Sequence, residues 1–152
     1  MDTKAGLCTL NAPKAQGATG FLGKAGQVKL DSLIVESKND YGTVLAVSMD
    51  GQPLATSRKV LVQCGTKMRP TGWKADPATH EGAKGERLVS TGVMPWRVDV
   101  NATTILLKTK TLKKATVLDT SGFPRGSATV EPVGSSAVKF AFPRDAMWVV
   151  LE

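Results

Sequence analysis

The sequence is poor in the groups that most often carry out chemistry. Its 152 residues include one histidine, His80, so no centre needing two imidazoles can form within the chain. There are two cysteines, Cys8 and Cys64, enough for one disulfide at most. Each lies in an apolar, strand-like stretch, Leu7-Cys8-Thr9-Leu10 and Val60-Leu61-Val62-Gln63-Cys64, which predicts buried free thiols packed as small hydrophobes. No apolar run approaches the roughly 20 residues needed to cross a bilayer; Trp148-Val149-Val150-Leu151 is typical of the longest. The Gly-x-Ser-x-Gly elbow of a serine hydrolase is absent, as is the Asp-x-Asp-x-Asp-Gly loop of a calcium site. Gly20-Phe21-Leu22-Gly23 is read as preceding a strand, so it does not make a phosphate-cradling loop before a helix. Helix-favouring stretches rich in Ala, Leu, Glu and Lys are also missing.

What is present points to strands. Apolar residues are 41% of the chain, enough for one core, and 15 Gly with 8 Pro supply many turns. The length suits one domain spanning residues 1–152. Thr43 to Met49 is a β-rich run. Asp50-Gly51 is then expected at the tip of a two-residue hairpin, with Gln52-Pro53-Leu54 opening a return strand that carries Ser57 to Gln63. Val28 to Ser37 is read as one strand, with Asn39 to Gly42 as its turn. In the second half, Trp96, Val98 and Val100 alternate onto one face, which marks them as core, and Trp148, in an apolar strand, is likewise expected in the core. Thr103 to Lys110 places Ile105 and Leu107 on one face and Leu106, Lys108 and Lys110 on the other. Ala115 to Asp119, Ser127 to Glu131, Ala137 to Phe142 and Ala146 to Leu151 complete the series. About ten short strands at regular spacing predict an all-β antiparallel sandwich, jelly-roll or immunoglobulin-like.

One segment breaks the rhythm. Gly65 to Pro95 holds five glycines, three prolines, Trp73, His80, Glu81 and Glu86, and only Glu86 to Ser90 reads as a strand. A long irregular loop on a rigid scaffold is a usual place for function. Asp76, Glu81 and Glu86 are the carboxylates from which a glycosidase pair would be drawn, but Lys74, Lys84 and Arg87 alternate with them as on a solvated surface. The chain is therefore expected not to be an enzyme. Trp73 follows Pro70-Thr71-Gly72 and has polar neighbours, so an exposed indole is expected, able to stack on the CH face of a sugar ring. The candidate carbohydrate-binding set is Trp73, Lys74, Asp76, His80, Glu81 and Trp96, the last as the alternative platform if the face assignment is reversed.

The charge is one-sided. Twenty Lys and Arg against thirteen Asp and Glu give +7, and the excess falls after residue 50. Lys108, Lys110, Lys113 and Lys114 cluster in one strand and its turn, which favours acidic or mixed polysaccharides among the ligands. Arginines interleaved with stacking aromatics on one strand face are not seen, so neither nucleic acid nor membrane is an expected partner. No cofactor is expected; a structural calcium held by dispersed loop carbonyls stays open.

Several stretches resemble the C-terminal β-sandwich module of large secreted bacterial glycoside hydrolases. They are Thr19-Gly20-Phe21-Leu22-Gly23, Val28-x-Leu30-x-x-Leu33-x-Val35-x-Ser37, Ser48-Met49-Asp50-Gly51-x-Pro53-Leu54-x-x-Ser57 and Pro70-Thr71-Gly72-Trp73. Pro95 to Leu118 and Pro143-x-Asp145-Ala146-x-Trp148-Val149-Val150-Leu151 extend the likeness over nearly the whole chain. The resemblance implies a non-catalytic accessory module excised from a larger multidomain enzyme. It would work outside the cell or in the periplasm, with polysaccharide and the parent's catalytic domain as partners. Some such modules bind polysaccharide and others only pack on the catalytic domain. The resemblance carries over no sugar-contacting residue; Met1-Asp2-Thr3-Lys4 opens without the apolar region of a signal peptide.

Overall fold

In the computed structural model, which describes residues 1–152, sixteen strands and a single helical turn make up the regular structure, and every strand pairing is antiparallel. The all-β sandwich expected from the turn spacing is the observed class, with more and shorter strands than the ten counted from the pattern. The chain divides into two units, Met1–Thr66 with Val100–Glu152, and Lys67–Asp99.

The first unit is the sandwich. Its larger sheet runs in the order β1 (Leu7–Ala12), β2 (Ala15–Gly20), β5 (Gly42–Ser48), β6 (Val60–Thr66), β16 (Trp148–Leu151), β12 (Ala115–Leu118), β13 (Pro124–Ala128). The smaller runs β14 (Glu131–Val133), β15 (Ala137–Ala141), β11 (Thr103–Leu107), β4 (Leu33–Ser37), β3 (Gln27–Lys29). Alternation decides what each strand buries. Val44 and Ala46 of β5, Val60, Val62 and Cys64 of β6, Ile105 and Leu107 of β11, and Val138 and Phe140 of β15 all enter one core cluster. The expected strand Thr103 to Lys110 is shorter than read, ending at Leu107; within it Ile105 and Leu107 point inward and Leu106 is half-buried, while Lys108 and Lys110 lie beyond its end and are exposed. Gln16 links the layers: its buried Oε1 accepts the Ser32 and Leu33 backbone N–H groups at 2.8 and 2.9 Å.

Four expectations are corrected here. Val28 to Ser37 is two strands, because Leu30, Asp31 and Ser32 turn and fold β3 back on β4. Ser127 to Glu131 is also divided: β13 ends at Ala128 in the large sheet and β14 begins at Glu131 in the small one, so the chain crosses layers at Thr129-Val130. Leu22–Ala25, expected to lead directly into a strand, forms the helical turn α1 first. Asp50-Gly51 is not a two-residue hairpin tip, since β5 ends at Ser48 and β6 starts at Val60. The Asp50 carboxylate instead gathers the connection. Its Oδ1 accepts the Ser48 and Ser57 hydroxyls, each at 2.8 Å, and the Gln52 N–H at 3.2 Å, while Oδ2 accepts the Arg58 N–H at 2.7 Å. These donors, the Arg58 N–H first, hold the carboxyl well below the usual carboxylate range.

The thiols separate. Cys64 is buried and burial pushes its pKa up, whereas Cys8, expected to be buried as well, is exposed on edge strand β1; both are free.

Candidate functional site

The segment expected to be an irregular loop is an ordered two-stranded ribbon. Four strands build it: β7 (Met68–Thr71), β8 (Lys74–His80), β9 (Ala83–Ser90) and β10 (Val93–Val98). β8 pairs with β9, and β7 with β10. The tight turn lies between His80 and Ala83, which are cross-strand partners. Its central residues, Glu81 and Gly82, have φ of 49° and 81°, the positive pair that a type I′ turn requires. Midway, Gly92 meets the other strand so closely that a Cβ there would lie 2.5 Å from the Thr71 carbonyl oxygen and 2.7 Å from the Trp73 nitrogen. Only glycine, at φ 69°, permits this approach. Trp73 is set by that joint and by its own N–H donating to the Pro70 carbonyl at 3.1 Å. On the facing strand the register shifts between Val93 and Trp96, and the Met94–Pro95 peptide within the shift is cis.

Register assigns the faces, because directly paired residues project to the same side. Trp96 pairs with Pro70 and Val98 with Met68, while Arg97 pairs with Arg69 between them. One face at this end is thus Met68, Pro70, Trp96 and Val98; the other carries Arg69 and Arg97. Trp73 belongs with the arginines, since the Arg69 guanidinium lies 5.1 Å from its ring centroid. The two tryptophans therefore serve opposite faces. Trp73 is 39% exposed, as expected of it. The core assignment of Trp96, Val98 and Val100 is overturned, with exposures of 51%, 50% and 50%. Their alternation is real, but the face they share is turned to solvent. Trp148, by contrast, is partly buried in β16.

The remaining candidates do not converge. Lys74 pairs with Ser90, Asp76 with Arg87, and His80 stands exposed beside the tight turn that holds Glu81. His80 is seven residues from Trp73, roughly 23 Å along an extended strand. Asp76 and Glu86 fall on opposite faces, because Glu86 pairs with Pro77, next to Asp76. Two residues of this region were missed by the sequence reading, Arg69 and Arg97. They are 28 positions apart, and only the ribbon's register brings them together.

The sandwich has concavities of its own. One of about 340 Å³ is lined by Lys110 and Lys113 over Leu112, Val130, Pro132 and Val138. Another, of about 230 Å³, lies beside Trp148 and the Arg125–Asp145 ion pair. Arg125 Nη1 donates to Asp145 Oδ2 at 3.0 Å and holds that carboxyl below its usual range. Comparison with family models, with curated proteins and with solved structures finds no match to this chain.

Proposed function

We propose that the chain is a non-catalytic carbohydrate-binding module that takes polysaccharide on the Trp73 face of its ribbon. The observation carrying this reading is a part-exposed indole fixed by a glycine joint and backed by a guanidinium, in a segment that contributes nothing to the sandwich core. A rigid indole offers a sugar ring an apolar stacking surface, and neighbouring N–H groups supply hydrogen bonds to hydroxyls. On this reading the module acts in a secreted bacterial glycoside hydrolase, outside the cell or in the periplasm, and needs no cofactor for binding. The test is affinity electrophoresis in polysaccharide gels together with thermal unfolding. Trp73→Ala is expected to weaken binding by roughly 5- to 100-fold, using about 1–3 kcal/mol for a stacked ring, and to leave the melting temperature almost unchanged. Unfolding of the variant, or undiminished binding, counts against the assignment.

A second reading is favoured by the opposite face. Met68, Trp96 and Val98 are each at least half exposed there, and Val93 and Met94 nearby are 71% and 70% exposed. Contiguous exposed apolar residues mark protein contacts, which fits a module that packs on the parent's catalytic domain. Val98→Asp would disrupt that packing and leave polysaccharide binding intact.

A further inference from the structure

The Trp73 face carries two arginines in a geometry that stability alone does not favour. Arg69 and Arg97 are direct cross-strand partners, which brings their Cβ atoms to about 4.5–5.5 Å. Like charges so placed destabilise a ribbon. Neither arginine is neutralised within the protein. Arg69 donates from Nη1 to the adjacent Met68 carbonyl at 3.1 Å and stacks on Trp73. Arg97 is exposed and enters no ion pair. Two residues farther on, Lys67 and Asp99 share the face and offset one another in formal charge; the Asp99 N–H donates to the Lys67 carbonyl at 3.0 Å, and both have further partners of their own. The face is therefore left with two uncompensated guanidinium groups beside an indole.

Guanidinium groups bind carboxylate and sulfate through paired N–H donors, with a directionality that lysine lacks. Arg69 is already oriented by its backbone bond and its stacking, so little rotamer freedom is lost when it binds. Its position over the Trp73 ring also leaves the sugar to approach the other side of the indole. A hexuronic acid or sulfated sugar matches both features, with an apolar CH face for the ring and an oxyanion for the guanidinium pair.

We propose that the polysaccharide taken by this face is polyanionic, one residue laying its ring on Trp73 while a neighbouring residue of the same polymer places its carboxylate or sulfate between Arg69 and Arg97. This rests on the carbohydrate-binding reading above and specifies the ligand of that same site. The test uses the full chain with polygalacturonate, dextran sulfate and uncharged dextran as probes, at low and high salt. The wild type is expected to retard on one or both polyanions, and which one identifies the anionic group. It should ignore dextran, and its affinity should fall as salt rises. Arg97→Gln should weaken binding about tenfold or more, the equivalent of about 1.4 kcal/mol, with an unchanged melting temperature because Arg97 holds nothing in place. Lys110→Gln with Lys113→Gln should leave binding as it was. Salt-independent binding to dextran that is lost in Trp73→Ala overturns the anionic ligand and keeps the carbohydrate reading. Loss on the lysine substitutions instead of Arg97→Gln overturns the site. Single-stranded DNA bound more tightly than either polyanion, and released by Arg97→Gln, assigns the pair to phosphates and overturns the proposal. Binding to none of the three glycans removes this inference and the reading beneath it.

Discussion

Asp50 shows how one side chain substitutes for secondary structure. Between β5 and β6 the chain keeps one cross-strand bond, Met49 N–H to the Lys59 carbonyl, and a turn at Pro53, and the carboxylate ties these together by accepting two hydroxyls and two backbone N–H groups. Those bonds favour the ionised form, so the folded-state pKa lies below the ordinary 3.8 of the unfolded chain. A group depressed in this way stabilises the fold fully above its unfolded pKa and loses that contribution as pH falls toward its folded pKa. The melting temperature is therefore expected to hold through mild acid and drop once pH passes below 3.8. Asp50→Asn should be less stable at neutral pH and should lose less on acidification, because its amide nitrogen cannot accept the Arg58 N–H. Parallel acid profiles for the two proteins would rule this out. The cysteines give a second residue-scale expectation. An exposed Cys8 and a buried Cys64 predict that one thiol reacts with a disulfide reagent in the native protein and two after denaturation. Two native equivalents would show that β6 opens readily.

At the scale of elements, the ribbon and the sandwich obey different rules. Every member of the hydrophobic core lies outside Lys67–Asp99, and β9 and β10 are exposed at each position. The Asp99 N–H donates to the Lys67 carbonyl, so the two ends of the ribbon are adjacent. Replacing residues 68–98 by a Gly-containing tight turn is expected to leave a folded sandwich with nearly the same thermal midpoint and to remove the polysaccharide binding proposed for the ribbon. A collapse of the cooperative transition would mean that the ribbon supports the sheets. The same contrast explains what was legible in the sequence. Ile105 and Leu107 could be assigned to a shared face because one side of their strand packs and the other is solvated. A ribbon wet on both sides has no such signal, so Gly72, Gly82, Gly92 and the prolines read as loop. Trp96 and Val98 alternated correctly, but alternation identifies a shared face and not whether anything covers it. The turn dipeptides misled for a related reason. Asp50-Gly51 has the stronger local preference, yet the tight hairpin formed at Glu81-Gly82, where the flanking residues pair. Trp73 was legible as an exposed indole from its polar neighbours. The arginine pair was not, because it exists only through a cross-strand register.

For the whole molecule, the last strand closes the fold. β16 lies inside the large sheet between β6 and β12, pairing Trp148 with Gln63 on one side and with Leu118 on the other. Val149 and Leu151 are fully buried. Glu152 continues the tie: its carbonyl accepts the Lys113 and Lys114 N–H groups at 2.6 and 2.7 Å, and its carboxylate pairs with Lys59 at 2.7 Å. The contacts of β16 with β6 span much of the sequence and form only after a long loop has closed, which slows sandwich folding. Removing residues 148–152 would open two ladder edges in the middle of the sheet and uncover the core beside them. The truncated chain is expected to show no cooperative thermal transition. Leu151→Ala, which keeps the ladder and removes only side-chain packing, should fold with a loss of about 2–5 kcal/mol. Glu152→Gln should change little, because its ion pair is half exposed and screened by solvent. If the truncated chain melts cooperatively near the wild-type midpoint, β6 and β12 have found each other without β16, and the strand is a cover rather than the closing element of the sheet.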